Sequence, residues 1–210
     1  MNLQDWIGRS EEVTDVFTAT PYAALSATFD RPSERPANGT ALPALWHWLY
    51  FLPLHRQSEI GPDGHAKRGG FLPPVPLPRR MWAGSQFEFH SQLRIGETVT
   101  RTSTIHDVTE KSGRTGPLVF VKVRHELRRA GESAVALTEF HDIVYRELAS
   151  PNDVAPPPKA TYPDPVWRTK WVPDDVLLFR YSALTFNGHR IHYDRKYVTE
   201  VEGYPGLIVH

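Results

Sequence analysis

Alternation of apolar and polar residues marks the middle of this chain. Phe87, Phe89 and Leu93 are separated by polar positions, and Thr98 to Val108 is rich in threonine and valine. Val119, Val121 and Val123 alternate with Phe120, Lys122 and Arg124, and Ala134 to Tyr145 follows across a turn at Arg129-Ala-Gly131. A period of two in β-branched and aromatic residues predicts four strands of an antiparallel sheet. His90, His106, His125 and His141 fall on these strands and read as sheet-face residues rather than ligands. Lys111 to Pro117 reads as a turn. It lacks the Gly-Lys-Ser/Thr ending of a phosphate-binding loop.

Other stretches predict helix. Leu3 to Gly8 reads as a short helix closed by its glycine, and Val13 to Phe17 as a brief strand. Thr20-Pro21 supplies a hydroxyl cap and a first-turn proline for a helix over Tyr22 to Thr28. Leu45-Trp-His-Trp-Leu-Tyr-Phe-Leu52 is the most apolar piece and reads as a buried central helix, with His47 a core histidine bonded to a backbone carbonyl. Arg31 to Gly39 is loop. So is His55 to Arg80, where Pro73, Pro74, Pro76 and Pro78 favour a fixed wall over a mobile flap. Arg79 and Arg80 end that loop, placed either for the phosphates of a carrier or for solvent. Asp174 and Asp175 can cap a helix bearing Val176, Leu177, Leu178, Phe179, Ala183, Leu184 and Phe186. Its apolar residues cover most faces, so it is expected to be largely buried. The pattern as a whole predicts an α+β fold, a helix wrapped by an antiparallel sheet.

The prolines from Pro151 to Pro165 form the best domain boundary. We therefore divide the chain into 1–149, a linker over 150–165, and 166–210. Tyr22-Ala-Ala-Leu-Ser26 is weakly echoed by Tyr181-Ser-Ala-Leu-Thr185 across that linker, as a duplicated fold would show.

Composition narrows the function more than the fold. Among 210 residues there are 24 Lys plus Arg, 24 Asp plus Glu and no cysteine. Disulfides, thiolate metal sites and cysteine nucleophiles are excluded. Balanced charge without long runs of one sign does not suit nucleic acid or an anionic membrane as main partner. Met1 to Gly8 lacks the pattern of a signal peptide, and Leu42 to Leu54 is too short and too interrupted to span a bilayer. A soluble cytoplasmic protein is expected.

Candidate chemistry gathers after the capped helix, in Asn187, His189, Arg190 and His192. A histidine titrates near neutrality, so His192 is the first candidate for proton transfer. Asn187 does not titrate, but its amide can orient water or polarise a carbonyl. Arg190 presents a cationic fork suited to a carboxylate or phosphate. The bland alternative is a polar turn whose histidines are satisfied by backbone groups. His189 and His192, three apart, lack a clear third ligand, so no metal is expected. Ser182 has no Gly-x-Ser-x-Gly elbow around it and is not read as a nucleophile.

The spacing in this segment resembles the hydratase motif of the MaoC-like hot-dog family. Ile191-His192-Tyr193-Asp194 matches the end of the motif, with His192 in the place of the catalytic histidine. Asn187 stands where the family has its catalytic aspartate, and His189 where it has an asparagine. The longer stretch Ser182 to Asp194 is similar to the two-hot-dog branch that includes mesaconyl-C4-CoA hydratase, itaconyl-CoA hydratase and mitochondrial hydroxyacyl-thioester dehydratases. Leu45 to Phe51, Gly69 to Pro74 and Pro78 to Trp82 carry further similarity, so the resemblance covers most of the chain.

The resemblance implies a double hot-dog fold and a hydro-lyase acting on an acyl-CoA, with CoA part of the substrate and no separate cofactor. It implies His192 as general acid/base and Asn187 beside it. Arg190 and His189 would contact substrate, and backbone N–H groups around Val209 and His210 would meet the thioester oxygen. It points to itaconyl-CoA or mesaconyl-C4-CoA, giving citramalyl-CoA, and to a homodimer. Two alternatives stay open: a 3-hydroxyacyl-thioester dehydratase of fatty-acid synthesis, and a non-catalytic acyl-CoA-binding protein. In the family Gly206 to His210 leads into a second central helix and sheet. The second hot dog is therefore expected to be incomplete here, in a truncated or cleaved chain with apolar surface left exposed.

Overall fold

Five antiparallel strands curve around a short helix in the computed structural model, which describes residues 2–32, 35–113, 116–148 and 166–210. After a turn of 3-10 helix at Leu3–Trp6 come β1 (Ser10–Val16) and α1 (Ala19–Thr28). The sheet continues with β2 (Arg79–Phe89), β3 (Thr98–Gly113), β4 (Gly116–Arg129) and β5 (Val135–Arg146). Their spatial order is β1-β3-β4-β5-β2. The predicted strands are all present, and the helix lies in sequence between β1 and β2 as a hot-dog half requires. The linker assigned to 150–165 lies outside the described residues. No helix among those described is long and apolar enough to cross a membrane.

The central helix is α1, not Leu45 to Leu52. That apolar stretch forms a single 3-10 turn over Trp46–Leu49, with Leu45 and Phe51 in left-handed backbone at φ 70° and 54°. Its aromatics are drawn in different directions: Trp46 onto Tyr22 at 4.7 Å, and Tyr50 onto Phe17 at 4.4 Å between ring centroids. Aromatic residues lose rotamer freedom in a helix, and Pro43 and Pro53 bracket the run, so packing outweighs helical hydrogen bonding. The cap of α1 is also displaced. Thr18 holds the capping position, without a side-chain hydrogen bond, instead of Thr20.

Inward residues form two apolar clusters. Leu25, Trp46, Val99, Leu127 and Leu137 belong to the first. Val75 and Leu77 of the proline-rich stretch close the second, over Ile105, Val121, Ile143 and Tyr145. On β5 the alternation that points Leu137 and Ile143 inward also buries Glu139, only 3% exposed. A buried carboxylate is costly unless donors surround it. Glu139 accepts from Trp48 Nε1 at 3.1 Å, from Ser85 Oγ at 3.1 Å and from His47 Nε2 at 3.2 Å. His47 is thus a core histidine, as expected, but its partner is this carboxylate and not a carbonyl.

Beyond the sheet, α2 (Asp175–Leu184) packs against α1, and α3 (Arg195–Glu200) follows. α2 is not largely buried. Leu178 and Ser182 face inward, whereas Val176 and Phe179 are 64% and 63% exposed. Only one stripe meets α1, so apolar residues around the rest of the helix stay outside. The helices carrying the echoed Tyr22 and Tyr181 segments lie side by side.

The loop before β2 is docked on the segment after α2. Gly64, at φ +91°, approaches Gly188 so closely that a Cβ would overlap the Gly188 carbonyl oxygen. Arg190 donates its backbone N–H to the Asp63 carbonyl at 3.0 Å and Nη1 to the Pro62 carbonyl at 3.0 Å.

Two outcomes follow from this packing. Burial pushes the Glu139 carboxyl up, but hydrogen bonds from His141 and His47 and the nearby His125 outweigh it and hold it well below the carboxylate range. Such a group contributes stability above the unfolded-state value and loses it as pH falls toward the folded-state one. Urea unfolding of Glu139→Ala should show a loss of about 3 kcal/mol near neutrality, shrinking in acid. Gly64→Ala strains a left-handed position and removes the close approach, so hydrogen exchange of the Arg190 amide should quicken at least about tenfold. Unchanged exchange would contradict the docking.

Candidate active site

The site is built on the exit from α2. Asp174 caps the helix, its side chain accepting from the Leu177 N–H at 2.8 Å. The helix closes with the Asn187 N–H on the Ser182 carbonyl at 2.8 Å, and Phe186 turns the chain at φ 50°. Asn187 Oδ1 accepts the His189 N–H at 3.0 Å. A backbone N–H needs an acceptor, so this bond fixes which end of the amide is oxygen and leaves its NH2 group to donate. Downstream, Asp194 caps α3 through the Tyr197 N–H at 2.9 Å. The short segment is held at both ends by capped helices.

His192 is 7% exposed. Its Nδ1 lies 2.8 Å from the Ile208 carbonyl, which can only accept, so the proton resides on Nδ1 and Nε2 keeps a free lone pair. The Ile208 N–H in turn donates to the Ile191 carbonyl at 2.9 Å, tying the final residues along this turn. Burial pushes His192 down, opposed by the Ile208 hydrogen bond and reinforced by His65. It is therefore neutral near pH ~7, in the form that accepts a proton.

Four imidazoles stand in a row. His65 and His189 have ring centroids 3.9 Å apart, His189 and His192 5.8 Å, and His192 and His210 3.7 Å in a near-parallel stack. Asp63 Oδ2 accepts from His65 Nδ1 at 3.0 Å at one end, and His210 Nε2 meets Ser182 Oγ at 2.7 Å at the other. Burial, then the neighbouring His65 and His192, push His189 down to about 3; burial and His192 bring His210 to about 3. Burial raises the Asp63 carboxyl, but its bond to His65 outweighs this and holds it well below the carboxylate range. Each unprotonated imidazole spares its neighbours the cost of adjacent buried charges.

The segment thus brings His189, His192 and His210 together, with Asn187 at the start of the turn. Neither the Val209 nor the His210 N–H donates to a backbone group among the described residues. Arg190 is employed otherwise than the sequence suggested. Its Nε and Nη2 donate to Asp194 Oδ2 at 3.0 and 2.7 Å, and the guanidinium lies over Tyr197 at 4.2 Å. Its fork is thus held by Asp194 and Pro62 at a part-exposed position. Arg79 is likewise not turned toward a carrier, being buried against Glu202 at 2.7 Å. Among the described residues no group of three or more His, Cys, Asp or Glu is placed to hold a metal ion.

Asp63 and His65 join this cluster without belonging to any motif of the sequence. The Asp63-Gly-His65 order was a possible signal, because an aspartate accepts readily from groups two residues on. Its proximity to His189 is a tertiary fact that spacing does not carry.

Comparison with known proteins identifies the family. Residues 45–210 match the family model described as hydroxyacyl-thioester dehydratase type 2. A mesaconyl-C(4)-CoA hydratase of Chloroflexus aurantiacus is 50% identical over 207 residues, 98% of this chain and 72% of that protein. A mitochondrial hydroxyacyl-thioester dehydratase type 2 of Schizosaccharomyces pombe is 24% identical over 198 residues, 81% of this chain and 63% of that protein. Among solved structures, one described as a MaoC-like dehydratase matches with TM-score 0.64 at 11% identity, over 100% of this chain and 74% of its own. HtdX of Mycobacterium tuberculosis matches with TM-score 0.55 at 14% identity, over 95% and 72%. At those identities the structures establish the MaoC-like hot-dog fold alone. The identity to the bacterial hydratase and the extent of the family match go further: this chain belongs to the hydroxyacyl-thioester dehydratase type 2 family.

Proposed function

We propose that this protein catalyses reversible hydration of an enoyl-CoA thioester, with a dicarboxylic ester such as mesaconyl-C4-CoA as substrate and citramalyl-CoA as product. The observation that carries this reading is the state of His192: buried, neutral, its tautomer fixed by Ile208, its Nε2 free. The substrate class rests on the similarity to the Chloroflexus aurantiacus hydratase. Itaconyl-CoA remains within the proposal on condition that its β,γ double bond first moves into conjugation with the thioester by a proton shift, since the step below acts on an α,β-enoyl ester.

In the hydration direction, His192 Nε2 takes a proton from water as its oxygen bonds to the β-carbon. The alkene π pair moves toward the thioester and forms an enolate. The imidazolium then returns its proton to the α-carbon, which restores neutral His192 and balances the reaction. Asn187 has the donors to hold that water or the thioester. The Val209 and His210 N–H groups are the proposed donors to the enolate oxygen, where such groups act most strongly. A neutral base is the required starting state here, so the burial that depresses His192 serves the reaction. His189 supports the ring from the other side. A homodimer is part of the same proposal, to be read by light scattering.

The family match also favours a dehydratase of saturated 3-hydroxyacyl esters, which is the reverse reaction on another acyl group. Kinetics on mesaconyl-C4-CoA, itaconyl-CoA and crotonyl-CoA separate the two. The expected result is preference for a dicarboxylic ester, with kcat/KM lowered about 10²–10⁴-fold in His192→Ala. Preference for crotonyl-CoA would move the assignment to the saturated series. Neutral His192 is the active form, so kcat/KM should fall as pH drops through its value, below the ordinary ~6.5. A fall centred above that value would contradict the assignment.

A further inference from the structure

The carbonyl that sets the His192 tautomer belongs to a strap, residues 203–210, which has no helix or strand of its own. Such a segment keeps its place only through the contacts made along it. The Tyr204 N–H donates to the Val198 carbonyl at 3.0 Å, and the Ile208 N–H to the Ile191 carbonyl at 2.9 Å. Both acceptors lie on the catalytic turn or on α3. These bonds tie the strap to the site without tying it to the sheet.

The tie to the sheet is Arg79, at the start of β2 and 7% exposed. Its Nη2 lies 2.7 Å from Glu202 Oε2 and donates to the Glu202 carbonyl at 3.3 Å. Its guanidinium lies over the Tyr204 ring at 5.2 Å. One arginine thus grips a carboxylate, a carbonyl and a ring at the root of the strap. Glu202 Oε1 accepts from the Tyr197 hydroxyl at 2.9 Å, and Arg190 lies over the Tyr197 ring at 4.2 Å. Contacts therefore run without a break from the sheet through Glu202 and Tyr197 to the catalytic turn.

This pair is poorly suited to stability. Its side chains are 6% and 11% exposed, and Arg79 Nε is buried with no partner of hydrogen-bond geometry among the described residues. Desolvation of two such charges offsets most of their attraction, so an apolar pair of similar size would hold the fold as well. What an ion pair adds is direction, because a planar fork meets a carboxylate in few geometries.

We propose that Arg79 and Glu202 are positioning residues for His192: their buried pair holds the strap so that the Ile208 carbonyl stays on Nδ1 and Nε2 stays bare. This rests on the enoyl-thioester reading above and names what sustains it. Neither residue touches the reacting atoms. With the pair broken, the strap shifts, Nδ1 loses its acceptor, and the neutral ring divides between its two tautomers. A ring with its proton on Nε2 cannot take one from water, so turnover falls while substrate still binds.

The test joins nitrogen-15 NMR of the histidine-labelled full chain with steady-state kinetics on mesaconyl-C4-CoA. Arg79→Gln should move protons onto His192 Nε2 and lower kcat at least about tenfold, with KM changed by less than about threefold. Arg79→Lys should recover part of both. The double variant Arg79→Met with Glu202→Leu leaves no charge unpaired, so it should unfold in urea no earlier than wild type while showing the same tautomer shift and loss of kcat. A folded double variant with the wild-type tautomer and kcat would overturn the positioning role and leave the hydratase reading intact. Wild type that hydrates no enoyl thioester would defeat that reading, and the NMR comparison would still decide whether the pair sets the tautomer.

Discussion

The close backbone approach of Gly64 to Gly188 is the contact on which the site depends. It allows a turn from before the sheet to lie on a turn from after α2, so that Asp63 and His65 meet His189. Any side chain at Gly64 would push the two apart. Arg190 secures the contact from one side, across 128 residues of sequence, with one guanidinium nitrogen on Pro62 and two on Asp194. Its guanidinium thus fastens the two turns together.

Burial then decides the electrostatics. Four imidazoles drawn close together in partly desolvated surroundings stay unprotonated, since each charge would cost both solvation and repulsion. What distinguishes His192 within the row is its hydrogen bond to Ile208, which assigns the proton to Nδ1 and frees Nε2. Elsewhere the protein applies the reverse arrangement. Glu139 is buried yet kept charged, because Trp48, Ser85 and His47 supply the donors that water would have provided. One buried network favours a neutral base and the other a fixed anion, and the difference lies in whether donors or like groups surround the titrating atom.

The strands were legible because their alternation of valine and threonine with charge is a local signal that the sheet obeys. The cap at Asp174 and the clustering of Asn187, His189 and His192 were legible for the same reason. Leu45 to Leu52 misled because hydrophobicity reports burial without backbone conformation: Trp46, Tyr50 and Phe51 all enter one core cluster, from a single 3-10 turn and not a longer helix. α2 misled in the opposite way, its apolar residues exceeding what one contact face covers. Arg190 looked free because its partner Asp194 was read only as part of a motif. Asp63 and His65 meet the site only through tertiary contacts, which no spacing rule records.

The central claim is that a neutral His192, protonated on Nδ1 and bare on Nε2, is the group that exchanges a proton with substrate. Nitrogen-15 NMR of histidine-labelled protein, with His192→Ala used to assign the resonance, reads that tautomer directly. The account predicts a bare Nε2 near neutrality and a titration displaced below the ordinary histidine value. A protonated Nε2 in the free protein, or an imidazolium that persists at neutral pH, would contradict it.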